Sequence, residues 1–452
     1  MVIWQRLVQV CQRWQQIIYG SPKYLDLHLY CSPAAREPFR KHHSHWPDFP
    51  LILNYQIGPD EDEAVDCLVA ALEHSNRVHH LDLYIGSWDS RVYEVLERMR
   101  VSFPALTHLK LEGPDTYDKH NIYDISRNFL GNIAPCLQHI HLDRISFQEL
   151  PKLLLSTRGL VSLQLEHIPT DVCGIYGYIS PEAMVGGLDG LVSLRTLCVE
   201  FRFLEEPSIS NERLEKERCP DPPLRAVLPA LTEFVFCGEI KYLEDLIARI
   251  DLPGVEDIKI EYYPPWFDVP ELSQFIDRTA SLEFAQFRRA KVTFEGLHSQ
   301  IQLDRPQGER QPLRFSLGVE IEDTGRDPHM DVLVPCMTCA YGQLTSLLSN
   351  VGHLSFQSQH HQLDLDNSKF LPLLHLFPSV EELHVSGALA ENIATMLENI
   401  AAERVTELMP VLHSLWLGNG DEPVGSTERF LSLRQLSGRP VMSGNTQDGV
   451  VG

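Results

Sequence analysis

The chain has 452 residues, of which 43% are hydrophobic and 22% are charged, and its formal net charge at pH 7 is −24. This hydrophobic content excludes global disorder, and the length exceeds a single ordinary core. The acidic balance argues against binding to nucleic acid or to an anionic membrane, and no apolar run reaches the roughly 20 residues that span a bilayer. The first residues lack the continuous apolar stretch of a signal peptide, and the ten cysteines are scattered singly. We therefore expect reduced thiols and a cytoplasmic or nuclear location.

The first predicted element is a short amphipathic helix. Apolar residues recur at three-and-four spacing from Ile3 to Ile18, and Ser21-Pro22 ends the pattern. Alternating apolar residues around 25–29 and 51–55 then predict two short strands. The acidic run at 60–63 leads into a second predicted helix, because carboxylates suit a helix N-terminus.

From Val78 onwards one six-residue pattern recurs, with apolar residues at its first, fourth and sixth positions. Its ten copies begin at Val78, Leu106, Leu137, Leu160, Leu194, Leu231, Val255, Val351, Val380 and Leu412. The first seven copies start 23 to 37 residues apart, which is around and above the roughly 20–29 residues of a leucine-rich repeat. One unit cannot bury its own apolar face, so stacking predicts an α/β solenoid with a curved parallel sheet and external helices. An ordinary α/β protein with unrelated strands would not repeat this register.

The pattern blurs between residues 261 and 350. Residues 291–297 and 314–321 predict strands there, but their phase stays open. We therefore divide the chain into a helical segment at 1–22, connecting strands and a loop at 23–59, a solenoid at 60–436 and a disordered tail at 437–452.

The N-terminal residues resemble the last helix of an F-box. The pattern consists of Val10-Cys11, Trp14 and the pair Ile17-Ile18, followed by Ser21-Pro22, and it continues through 46–52. It is typical of fungal F-box proteins with divergent leucine-rich repeats, which implies a horseshoe solenoid preceded by a helical F-box remnant. That family opens with two further helices, which are missing here through a truncated gene model or a true loss. We therefore expect the chain as given to bind an F-box adaptor weakly or not at all.

The resemblance implies a substrate-recognition subunit of an SCF-type (cullin-RING) ubiquitin ligase, with the repeats holding a protein substrate. The residues implied to contact a Skp1-like adaptor, or to pack the box, are Leu7, Val10, Cys11, Trp14, Ile17 and Ile18. We expect Trp14 to be buried, because the apolar side of the helix needs another apolar surface to pack against. The alternative is a protein-interaction scaffold with leucine-rich repeats and no ligase connection.

An acidic column is predicted on the concave face of the solenoid. The residue after the last apolar position is acidic in four consecutive repeats, at Glu112, Asp143, Glu166 and Glu200. Stacked like charges repel each other, so such a column would favour a basic segment in a protein substrate. A merely solvated acidic surface is the competing interpretation.

Catalytic and metal-binding signatures are not found. The sequence contains no phosphate loop, nucleophile elbow or His-Glu-x-x-His motif, and Cys336-x-x-Cys339 lacks the second pair that zinc would need. Histidines recur near the strands, as at His80, His108 and His139, but single histidines on separate strands do not imply a metal site. We expect a non-catalytic protein without metal or cofactor, and an enzyme with an unrecognised site is a third interpretation.

Overall fold

The computed structural model describes residues 11–14, 16, 28–32, 49–58, 62–86, 88–114, 125, 127–170, 179–203, 225–263, 269–283, 285–296, 298–305, 313–320, 330–358, 367–387, 389–399, 405, 407–418 and 427–444. The chain forms two compact units, Met1–Leu231 and Thr232–Gly452. Among the helices of the described ranges, none has the length and apolar character needed to cross a bilayer.

The first unit is built on parallel strands that follow one another in chain order. They are β1 (Leu29–Cys31), β2 (Leu51–Ile57), β3 (Val78–Ile85), β4 (His108–Glu112), β5 (His139–Asp143), β6 (Ser162–Thr170) and β7 (Thr196–Phe203), with a short strand β8 (Ala226–Val227) after them. The helices between them are α1 (Asp62–Leu72), α2 (Ser90–Arg98), α3 (Leu150–Leu154) and α4 (Pro181–Leu188).

Strand register in this unit follows the repeated apolar pattern. Leu81 pairs with Leu109, and the row continues through Ile140, Leu163 and Leu197. Each of these side chains is at most 2% exposed, because successive side chains of a strand point to opposite faces and one face meets the helices. The pattern read from the sequence is thereby confirmed as the core of the unit.

Helix α2 shows how the covering layer is held. The carboxylate of Asp89 accepts hydrogen bonds from the backbone N–H groups of Arg91 (2.9 Å) and Val92 (3.2 Å), which caps the helix start. Its apolar side then buries Val92 and Val95. The cap and the apolar stripe together orient the helix against the strands.

The second unit contains both repeat strands and a hairpin. Its strands are β9 (Glu233–Glu239), β10 (Ile250–Asp251), β11 (Asp257–Tyr263), β12 (Arg289–Glu295), β13 (His298–Asp304), β14 (Arg314–Glu320), β15 (His353–Ser358), β16 (Glu382–Ser386), β17 (Ser414–Gly418) and β18 (Met442–Gly444). The helices are α5 (Ile240–Ile247), α6 (Pro270–Arg278), α7 (Ala280–Glu283), α8 (Met330–Gly342), α9 (Thr345–Leu348), α10 (Asn367–His375), α11 (Leu389–Asn399) and α12 (Glu428–Leu436).

The prediction of an entirely parallel sheet is wrong at β13. This strand pairs antiparallel with both β12 and β14, so the order around it is β11-β14-β13-β12-β15. The chain reverses close to Gly296, whose φ of 63° is a left-handed conformation suited to a tight hairpin. The predicted strands at 291–297 and 314–321 are confirmed as β12 and β14. The fold class is α/β, with mostly parallel strands.

The predicted disordered tail is wrong for residues 437–444. Strand β18 pairs parallel with β17, where Met442 stands beside Ser414, and it covers backbone groups that an edge strand would leave unpaired. The fully buried Arg434 of α12 supports this end of the unit by donating to the carbonyls of Leu412 (2.6 Å) and Val405 (3.3 Å). Residues 445–452 lie outside the described ranges.

The N-terminal helix differs from its prediction. Residues 12–14 and 16 are helical, and Trp14 is 48% exposed, so the prediction that Trp14 is buried is wrong. Cys11 is exposed as well, because the described part of this segment is not packed into a core. The other residues of the F-box-like stripe, Leu7, Val10, Ile17 and Ile18, lie outside the described ranges, as do Leu25 and Leu27.

The Cys336-x-x-Cys339 pair lies on α8. Cys336 is buried, Cys339 is exposed, and neither forms a disulfide. Burial raises the pKa of the Cys336 thiol to about 12, which suppresses the reactive thiolate. Cys336 is therefore a buried side chain of α8 and not a reactive thiol.

We expect Gly387→Ala to destabilise the second unit by about 2–4 kcal/mol, because it combines backbone strain with a steric clash. Gly387 follows β16 with φ of 75°, and an added Cβ would collide with the backbone oxygen of Ser358. Gly438→Ala is the matched control, since its φ is also 75° but no atom lies within 4 Å of the added Cβ. Urea unfolding should show a loss of only about 1 kcal/mol for the control. Equal losses in both variants would contradict the clash.

Candidate functional site

The most organised polar surface is the side of the first-unit sheet that faces away from the helices, and we call it the polar face. Backbone pairing arranges its side chains in three rows across β3, β4, β5 and β6. The first row is His80, His108, His139 and Ser162; the second is Asp82, Lys110, His141 and Gln164; the third is Tyr84, Glu112, Asp143 and Glu166. Apart from the buried Asp143, these side chains are partly exposed.

The first row begins with stacked imidazoles. The ring centroids of His80 and His108 lie 5.2 Å apart, and those of His108 and His139 lie 4.4 Å apart with planes only 14° from parallel. Burial lowers the pKa of His108, and the neighbouring histidines lower it further. The pKa of His80 is lowered for the same reasons, although Asp82 opposes the shift. His80 and His108 are therefore favoured in the neutral form near neutral pH.

The third row contains the predicted acidic column, and its carboxylates lie beside basic side chains on the same face. Glu112 Oε1 lies 2.6 Å from Lys110 Nζ, and this hydrogen bond raises the pKa of Lys110. Glu166 Oε2 lies 3.4 Å from His141 Nε2. The column is thus lined by basic partners and is not a bare acidic surface.

Asp143 is the most buried member of the column. Its residue exposure is 7%, and a carboxylate at that depth needs compensating partners. Its Oδ2 accepts a hydrogen bond from Arg144 Nη2 at 2.6 Å, and its Oδ1 lies 2.9 Å from His167 Nδ1. Asp143 is therefore a buried anchor of the polar face and not a freely presented charge.

The structure pairs three of the four predicted acidic residues one to one, and the fourth lies opposite a bulge. Glu112 pairs with Asp143, which pairs with Glu166. The register with β7 then shifts, since Leu165 pairs with Val199 but Ile168 pairs with Phe201. Glu166 and His167 thus oppose Glu200 alone, as in a β-bulge. Glu200 therefore lies beside Glu166 and His167 together and not in a simple pair with Glu166.

Arg144 and His167 belong to this site but were not predicted from the sequence. Each directly follows an acidic residue of the column, and each has a left-handed backbone, with φ of 58° at Arg144 and 49° at His167. In that conformation both side chains reach Asp143. The sequence contained one sign of these residues: the dipeptides Asp143-Arg144 and Glu166-His167 begin at the same position of successive repeats.

The second unit carries a smaller polar and aromatic cluster. His353 Nδ1 lies 2.9 Å from Glu382 Oε2, and the His384 ring stacks on Trp416 at a centroid distance of 5.8 Å. Burial lowers the pKa of His384, and Glu382 opposes that shift. This partly exposed cluster is built from the same strand positions as the polar face.

Comparison with known proteins adds no assignment: no protein-family model matches the chain, and no curated protein matches it.

We expect the stability of the first unit to fall as the pH drops below about 6.5, the ordinary pKa of histidine. A histidine whose folded-state pKa is lowered stays neutral where the unfolded chain already binds a proton, so acid favours unfolding until the folded pKa is passed. His108→Gln should therefore reduce the difference in urea midpoint between pH 7.5 and pH 5.5.

The control for this test is His413→Gln, because His413 is exposed and lies in the second unit. It should leave the pH dependence of the first unit unchanged. If both substitutions alter that dependence equally, the stacked row is not its source.

Proposed function

We propose that this chain is a non-catalytic substrate-recognition subunit of an SCF-type (cullin-RING) ubiquitin ligase, with a leucine-rich-repeat solenoid that binds a protein substrate. The observation that carries the proposal is the polar face. Successive parallel strands bury one apolar row against helices and present ordered polar rows on the other side. Repeat proteins commonly use such extended strand surfaces to bind partners. A cytoplasmic or nuclear location belongs to the same proposal.

The paired carboxylates on the polar face restrict which kind of substrate segment can bind there. To bind these carboxylates, a basic segment would have to displace Lys110 from Glu112 and His141 from Glu166. Both carboxylates are accessible for this exchange, since their side chains are 25% and 32% exposed. The side chain of Asp143 is only 10% exposed, and it would hold its neighbours on the polar face in place. Such exchange of charges makes binding sensitive to salt.

The ligase connection is supported by the resemblance of the N-terminal residues to an F-box helix. The exposed Trp14 would be available to a Skp1-like adaptor. A single helix offers much less area than the roughly 1,200–2,000 Å² buried by stable interfaces. We therefore propose that this helix supplies only part of the docking surface and that the partners of the complex supply the transfer chemistry.

We expect the double substitution Glu112→Gln and Glu166→Gln to weaken substrate capture and to flatten its dependence on salt. The reason is that it removes two accessible carboxylates of the acidic column without adding bulk. The test is affinity purification of the full chain from cells with blocked proteasomes, with quantification of recovered proteins at low and high salt. Glu73→Gln with Glu97→Gln is the matched control, because both residues form only exposed ion pairs beside the helices. Identical recovery and salt dependence for both double variants would refute the role of the polar face.

The same purification tests the ligase assignment through a separate readout. A Skp1-like adaptor and a cullin should be recovered in small amounts, and Trp14→Ala should reduce them further while substrate capture persists. Recovery of the substrate without any adaptor or cullin would replace the ligase by the interaction scaffold as the function.

A further inference from the structure

The bulge in β6 brings a set of metal-ligating atoms together on the polar face. Asp143, Glu166 and His167 each offer a ligand atom, and these atoms all lie within 4.8 Å of one another. The three residues come from two adjacent strands, so their spacing is set by backbone pairing and the bulge. None of them depends on a flexible loop for its position.

A second histidine borders this set without belonging to it. His141 Nε2 lies 3.4 Å from Glu166 Oε2, but the ligand atoms that all lie within 4.8 Å of one another are those of Asp143, Glu166 and His167. Within the set, His167 Nδ1 lies 2.9 Å from Asp143 Oδ1. Ligand atoms around a tetrahedral zinc ion lie about 3.3 Å apart, given bonds of about 2.0–2.1 Å. Side-chain rotations would bring the three atoms to that spacing.

The charge and support of the cluster also suit a divalent cation. Two carboxylates balance a doubly charged ion, and Arg144 already compensates part of the charge of the buried Asp143. Arg144 holds Asp143 by Oδ2 and leaves Oδ1 directed at His167. A hydrogen bond to the outer oxygen of a ligating carboxylate is the support that metal sites commonly use to orient their ligands.

We propose that Asp143, Glu166 and His167 form a binding site for a divalent transition metal, with zinc as the expected ion and water completing its coordination. One imidazole nitrogen with two carboxylate oxygens suits zinc, whereas magnesium and calcium prefer sites made of oxygen alone. The ion would connect β5 to the bulge of β6. The site would thereby rigidify the part of the polar face that contains the acidic column.

The test is a titration of ZnCl2 into the full, metal-stripped chain by calorimetry, repeated with Co²⁺ to record the absorption bands of tetrahedral coordination. The wild-type chain should bind one ion that His167→Ala and Asp143→Asn bind at least about tenfold more weakly. His167→Ala removes a side chain that is 51% exposed, so it should leave the fold intact, as circular dichroism will show. Zinc should also raise the thermal midpoint of the wild type and not that of His167→Ala.

The matched control is His353→Ala, which removes a histidine that lies 2.9 Å from a carboxylate, the same separation as in the His167–Asp143 pair. This control should bind zinc as the wild type does, since the background from other histidines is common to all variants. An unchanged isotherm for His167→Ala, or an equal loss in His353→Ala, would overturn the site and leave only a hydrogen-bonded polar cluster.

Discussion

The structure of each unit depends on the burial of one apolar face of its strands. In the first unit, Leu81, Leu109, Ile140 and Leu163 form a continuous buried row. Each such side chain is worth roughly 1.5–3 kcal/mol when removed from water, and a shift by one residue would turn the whole row toward solvent. This penalty specifies the register, and the register in turn specifies which polar residues become neighbours on the opposite face.

The polar face is therefore a consequence of the core and not an independent design. Once Leu109 and Ile140 are paired, His108 must lie beside His139, and Glu112 must lie beside Asp143. Stacking of like side chains creates both the imidazole row and the carboxylate row. Repulsion between the stacked carboxylates is offset by Lys110 and Arg144. Pairing therefore orders the charged side chains of the polar face, and it leaves few of them available to a ligand.

The repeat strands could be predicted from the sequence because their signal is the periodic burial itself. Strand β13 was missed because residues 298–304 alternate without the repeated six-residue pattern, and antiparallel pairing needs no such pattern. The β18 strand was missed for a related reason, since Met442–Gly444 gains its place from the open edge of β17 and not from its own composition. Local periodicity predicts stacked units, and edge pairing depends on what the rest of the sheet leaves unpaired.

The acidic column shows the same limit at the level of single residues. Periodicity placed Glu112, Asp143 and Glu166 in one row, but it could not predict the additional residue that β6 contains opposite Glu200. That residue, His167, has a left-handed backbone, which costs on the order of 1–3 kcal/mol in a residue other than glycine. The pairing of β6 with β7 resumes at Ile168 and holds the bulge on both sides. The strained position is thus maintained by its neighbours, and it brings an imidazole to the one carboxylate of the column that is buried.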